Sequence, residues 1–163
     1  MKRIIHKLKN RQGLTLVEMV AAAGVLALLS LILNTGLLMA QNSYYTMTGE
    51  AESQLLVSTL TDLLSNELRY ARDVEVNADG ELVRYTSANY GRNTSLALNA
   101  EGQLEANSRL MLSSGAYGNG AYQIQSWSIV YQDGLFTVTL DIAGGHDISN
   151  QTEFSVRCLN AAA

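Results

Sequence analysis

From Met19 to Gly49 the chain carries no charged residue, and the run is led in by Leu14-Thr15-Leu16-Val17 and one acid, Glu18. About 20 apolar residues suffice to cross a bilayer as a helix, so residues 14–38 are long enough to span it. Lys2, Arg3, Lys7, Lys9 and Arg11 all precede the run. By the positive-inside rule that end stays in the cytoplasm, and everything after Tyr44 and Tyr45 lies outside. The tyrosine pair falls at the far interface, where amphipathic rings are favoured. The chain contains no proline, so a bend in this helix would have to use glycine or serine.

A secretory signal has its small-residue cleavage site after the apolar run. Here Ala21-Ala22-Ala23 lies inside the run and no good site follows Met39. The segment is therefore either an uncleaved anchor or a signal cut before the run. Glu18 bears on the choice. An acid in an apolar helix costs roughly 2.5–3.5 kcal/mol at the bilayer centre and less near the interface, and is functional by default. The plainer reading is that its carboxylate reaches the headgroup layer.

Arg11-Gln12-Gly13-Leu14-Thr15-Leu16-Val17-Glu18 resembles the class III signal of type IV prepilins and pseudopilins. That signal has a basic leader ending in glycine, an apolar first mature residue, Thr-Leu, and glutamate at the fifth mature position. The resemblance implies cleavage between Gly13 and Leu14 by a prepilin peptidase, N-methylation of Leu14, and an assembly role for Glu18. It implies as partners other pilin subunits, a pilus or secretion assembly platform, and the cytoplasmic membrane. Leader, motif and apolar helix cover about a quarter of the chain. Leu14 stands where phenylalanine is usual, and the proline common midway along the family's helix is missing, with Thr35-Gly36 in that neighbourhood.

Beyond the membrane segment the period stays helical. Leu56, Leu60, Leu63, Leu64, Leu68 and Ala71 fall on one face, with Ser53, Asp62, Asn66 and Glu67 directed elsewhere. Arg69 and Arg72 suit a helix C-terminus. Gly49 is a weak point between the two halves, costing about 1 kcal/mol relative to alanine. After Asp73 the period turns to alternation. Strands are expected at 81–87, 95–99, 109–112, 123–132, 135–142 and 153–159. Asp133-Gly134 is a strong two-residue hairpin signal, while Asp79-Gly80 and Glu101-Gly102 are weaker ones. Residues 115–120 and 143–150 read as glycine-rich connections.

The expected architecture is α+β, a long N-terminal helix packed on one antiparallel sheet of four to six strands. It divides into a leader (1–13), a transmembrane and assembly helix (14–40), its amphipathic continuation (41–73) and an extracytoplasmic sheet domain (74–163).

Five of the 11 Lys and Arg residues and none of the 15 Asp and Glu residues precede Leu14, so removing the leader takes the formal charge from −4 to −9. So acidic a domain lacks the cationic surface that dominates nucleic-acid affinity, and Arg84, Arg92 and Arg109 read as ordinary solvated surface. Nucleic acid is not indicated as a partner. Cys158 stands alone, so no internal disulfide forms, and its apolar alternating run marks a buried structural thiol.

No catalytic, cofactor or metal constellation emerges. His146-Asp147 lacks further ligands, and Asp73, Glu75 and Asp79 lack the rest of a calcium loop. Asn93-Thr94-Ser95 and Asn150-Gln151-Thr152 match glycosylation sequons only weakly in a bacterial context. The functional expectation is a structural subunit, not an enzyme. It would be inserted in the bacterial cytoplasmic membrane and then built into a cell-surface or periplasmic filament of a pilus, competence or secretion system. The alternative is an uncleaved membrane-anchored binding domain.

Overall fold

The computed structural model describes residues 15–145 and 148–160. Among the described residues one α-helix, α1 (Leu16–Arg69), is followed by strands β1 (Arg72–Val76), β2 (Leu82–Ser87), β3 (Gly91–Thr94), β4 (Leu96–Leu98), β5 (Leu104–Ala106), β6 (Arg109–Leu110), β7 (Tyr122–Gln132), β8 (Leu135–Gly144) and β9 (Ser149–Arg157), with a 3-10 segment, Ser114–Gly120, between β6 and β7. The chain divides into two compact units, Met1–Tyr44 and Tyr45–Ala163.

In the first unit every described residue is exposed. α1 is long and apolar enough to cross a membrane. Two of its hydroxyls are satisfied locally, Ser30 Oγ donating to the Leu26 carbonyl at 2.8 Å and Thr35 Oγ1 to that of Leu31 at 2.6 Å. A hydroxyl closed on the preceding turn needs no water, which is what a lipid-facing helix requires.

In the second unit the strands form three antiparallel sheets in the orders β1-β2-β3, β4-β5-β6 and β7-β8-β9. The α+β expectation holds, but among the described residues nine short and long strands replace the single sheet of four to six. β7 and β8 meet through Asp133 and Gly134, whose φ values of 50° and 79° are those of the expected two-residue turn. Inward residues of this sheet, among them Ile124, Ile129, Phe136, Val138, Leu140, Ile142 and Val156, share one core with Leu56, Leu60, Leu64 and Leu68 of α1.

Two positions expected off the apolar face of α1 are buried instead, Ser53 at 0% and Glu67 at 5% exposure. Both lie on the core stripe 53, 56, 60, 64, 67, 71, spaced by threes and fours as a helix face requires. Asn150 Nδ2 donates to Ser53 Oγ at 2.7 Å, so that hydroxyl is buried with a partner. Gly49 is also buried rather than a loose joint. A Cβ there would lie 2.3 Å from Ile148 Cδ1, and its carbonyl accepts from the Tyr122 hydroxyl at 3.2 Å.

α1 ends at Arg69, short of the expected boundary at 73, and residues 158–160 take up the carbonyl of its last residue and those of the two residues that follow. Leu159 N donates to Arg69 O at 2.8 Å, Asn160 Nδ2 to Tyr70 O at 3.0 Å and Cys158 Sγ to Ala71 O at 3.3 Å. Those orphan acceptors are what a helix terminus leaves open. Cys158 is buried, and its thiol has a structural partner.

The hairpins β1–β2 and β4–β5 are built alike. Val76 pairs with Leu82 and Leu98 with Leu104, each pair closing a five-residue loop. The loops read Asn77-Ala78-Asp79-Gly80-Glu81 and Asn99-Ala100-Glu101-Gly102-Gln103. In each, the asparagine Oδ1 accepts from the backbone N–H groups two and four residues on, at 2.8–3.1 Å. Its Nδ2 donates to the side chain at the fifth position, Glu81 or Gln103. Gly80 and Gly102 take φ values of 82° and 70°, which other residues adopt at a cost.

Candidate assembly segment at the start of the helix

Thr15 and Glu18 form a reciprocal cap on α1. Glu18 Oε2 accepts from the Thr15 backbone N–H at 2.8 Å and from its hydroxyl at 3.0 Å, while the Glu18 N–H donates to Thr15 Oγ1 at 3.3 Å. The first intrahelical bond, Met19 N to Thr15 O, measures 3.1 Å. Thr15 is thus the N-cap and Glu18 the third helical residue of a capping box, which satisfies donors that a helix start leaves open. Glu18 is also the acidic residue of the first turn, where the helix dipole favours negative charge. The Thr-x-x-Glu spacing could have disclosed this cap from the sequence.

Ala21, Ala22, Ala23 and Gly24 follow within α1, all exposed. Nothing lies within 4 Å of a Cβ built on Gly24. This segment therefore offers close approach to another helix, with small residues beside a single carboxylate. Gly13 and Leu14, expected to flank the cleaved bond, lie outside the described residues, as does the His146-Asp147 pair.

The remaining acids are dispersed. Asp73 Oδ2 accepts from Thr86 Oγ1 at 3.1 Å, Glu75 pairs with Arg84 at 2.8 Å, and Asp79 sits in the β1–β2 turn. Among the described residues no group of three His, Cys, Asp or Glu side chains is placed to hold a metal ion. Glu67 is the exception to dispersal, buried among neutral donors: the hydroxyls of Tyr85 and Ser87, and Asn89 Nδ2 at 2.8 Å. Burial first, and then the Glu67 carboxylate, push the Tyr85 phenol up from its ordinary value, so Tyr85 is a neutral donor at neutral pH. The cluster ties the end of α1 to β2 and the turn after it. No family model, curated protein or solved structure matches the chain.

Proposed function

We propose that this chain is a structural subunit of a type IV pilin-like filament, a minor pilin or pseudopilin, and not an enzyme. The observation carrying the reading is the juxtaposition at the start of α1. A single acid at the helix's first turn heads a charge-free segment that is exposed throughout residues 19–47. Such a surface has two possible environments, lipid or other apolar helices. A prepilin peptidase would cut Gly13–Leu14, and the new Leu14 amine would be methylated. An assembly platform would then draw the subunit from the cytoplasmic membrane, helices of neighbouring subunits replacing lipid around residues 16–40. Packing through Ala21–Gly24 draws on van der Waals contact, since lipid and leucine are equally apolar. The unit Tyr45–Ala163 would form the outer surface.

The test is N-terminal sequencing of protein from native membranes and sheared filaments. A mature chain beginning at Leu14, with Gly13→Trp blocking its appearance, is expected. Protein that begins at Met1 in every fraction overturns the reading.

The capping box gives weight to the alternative, an uncleaved membrane-anchored binding domain. There Glu18 only starts the helix, with Thr15 as its partner. The same sequencing separates the two.

A further inference from the structure

The two matched hairpin loops do more than turn the chain. Gly80 O accepts from Tyr131 N at 2.9 Å, and Gly102 O accepts from Ile124 N at 2.9 Å. Both acceptors of the strand's hydrogen bonds are therefore the same residue of the same loop, repeated 22 positions later in the sequence. Both land on β7, at an edge of the sheet β7-β8-β9, and Glu81 adds a bridge to Val130.

That edge needs closing. β7 runs Tyr-Gln-Ile-Gln-Ser-Trp-Ser-Ile-Val-Tyr-Gln without a charge, glycine or proline. Uncharged strands of high β-propensity are the segments that pair with other chains when their N–H and C=O groups are free. The opposite edge, β9, carries exposed Glu153 and Arg157, the charges by which an open edge is ordinarily protected. One edge is guarded by charge, the uncharged one by two backbone carbonyls.

We propose that the Asn77–Glu81 and Asn99–Gln103 loops are paired clamps that close the β7 edge against strand addition by a second copy of this chain. At Gly102 the approach leaves no room for a side chain, since a Cβ there would lie 2.7 Å from Gln123 Cβ, whereas at Gly80 the nearest atom would be Val130 Cγ1 at an ordinary 3.6 Å and the positive φ alone favours glycine. Each asparagine holds its loop in shape from within. The proposal does not depend on cleavage at Gly13 or on filament assembly. It concerns the sheet alone.

The test uses the full chain in detergent, with Cys158→Ala to remove the native thiol and Ser126→Cys to place a reporter on exposed β7. Asn77→Ala/Asn99→Ala is added to loosen both clamps. A shift from monomer to larger species by light scattering is expected, with disulfide-linked dimer through position 126 accumulating only when the clamps are loosened. Adding Gln125→Lys to the loosened chain should restore the monomer, because a charge then guards the edge. The proposal is overturned if the loosened chain stays monomeric with a cooperative melt, or if Gln125→Lys fails to reverse association. It is equally overturned if the loosened chain loses its cooperative melt, which would make the loops supports of the whole fold.

Discussion

Asn89 Nδ2 donates to Glu67 Oε2 at 2.8 Å across 22 residues of sequence, joining the last turns of α1 to the turn after β2. Ser87 Oγ donates to the other carboxylate oxygen and accepts from the N–H groups of Asn89 and Tyr90 at 3.0 and 2.9 Å. The carboxylate thus organises a turn as well as a helix end. Removing it strands two buried hydroxyls, those of Tyr85 and Ser87, together.

Glu67→Leu is therefore expected to destabilise the second unit by about 1–3 kcal/mol for each donor left without a partner. Glu67→Gln should cost less, since one amide oxygen still accepts. Urea unfolding of residues 45–163, which hold the whole buried core, measures both. A leucine variant as stable as the parent would show the cluster to be dispensable.

Gly49 sets two effects of known size against each other. Alanine in place of glycine within a helix gains about 1 kcal/mol, while overfilling a packed core costs about 1–3 kcal/mol. The clashing atom is Ile148 Cδ1, the end of a flexible side chain. Gly49→Ala should accordingly lie close to neutral, Gly49→Val should be clearly destabilising, and Ile148→Val should relieve the valine variant. Thermal melts of the three decide it. A valine variant without cost would mean that the close approach carries no constraint.

Tyr85, Tyr90, Tyr117, Tyr122 and Tyr131 hold their phenol protons above the ordinary value of 10.0, with burial the first cause in each. A group whose folded-state value is raised contributes stability that is complete below its unfolded value and is lost as pH rises toward the folded one. The contribution should be flat up to about pH 10 and fall above it, where the unfolded chain sheds protons that the folded chain keeps. Tyr85→Phe should make the alkaline fall shallower while lowering stability at neutral pH through the lost bond to Glu67. Unfolding midpoints measured from pH 8 to 12 test this, and an unchanged alkaline slope in the phenylalanine variant counts against it.

Much of the second unit could be read from the sequence because its strongest elements are also its most regular. β7 and β8 alternate over many residues around Asp133-Gly134, and the leucine stripe of α1 repeats every three to four positions. The strands not anticipated are β1, β3 and β5. Arg-Asp-Val-Glu-Val is mostly charged, Gly-Arg-Asn-Thr has no apolar residue, and Leu-Glu-Ala is too short to show a period. They are strands because hairpin loops and neighbours hold them. Glu67 and Ser53 fall on the stripe by position but not by polarity, and position decides because each finds a hydrogen-bond partner there. The repeated Asn-Ala-acid-Gly loop stood in the sequence, but its meaning lies in the β7 contacts it makes.

Glu18 carries the sharpest prediction, because its capping role and its proposed assembly role respond differently to one substitution. As a capping residue it needs only an acceptor for the Thr15 N–H, 2.8 Å away, and glutamine supplies one. In the proposed pairing with a neighbouring subunit's Leu14 amine it would need its charge. In an apolar helix core either charge alone is costly, and a charge-assisted pair offsets much of that cost. Such a pair would also fix the axial offset between subunits, since one offset places amine beside carboxylate. Glu18→Gln and Glu18→Ala should both be inserted and cleaved, and both should be depleted from sheared filaments relative to membranes. If Glu18→Gln enters filaments normally while Glu18→Ala does not, the carboxylate serves the helix start alone. The ratio of filament to membrane content, read with an antibody against residues 45–163, is the deciding measurement.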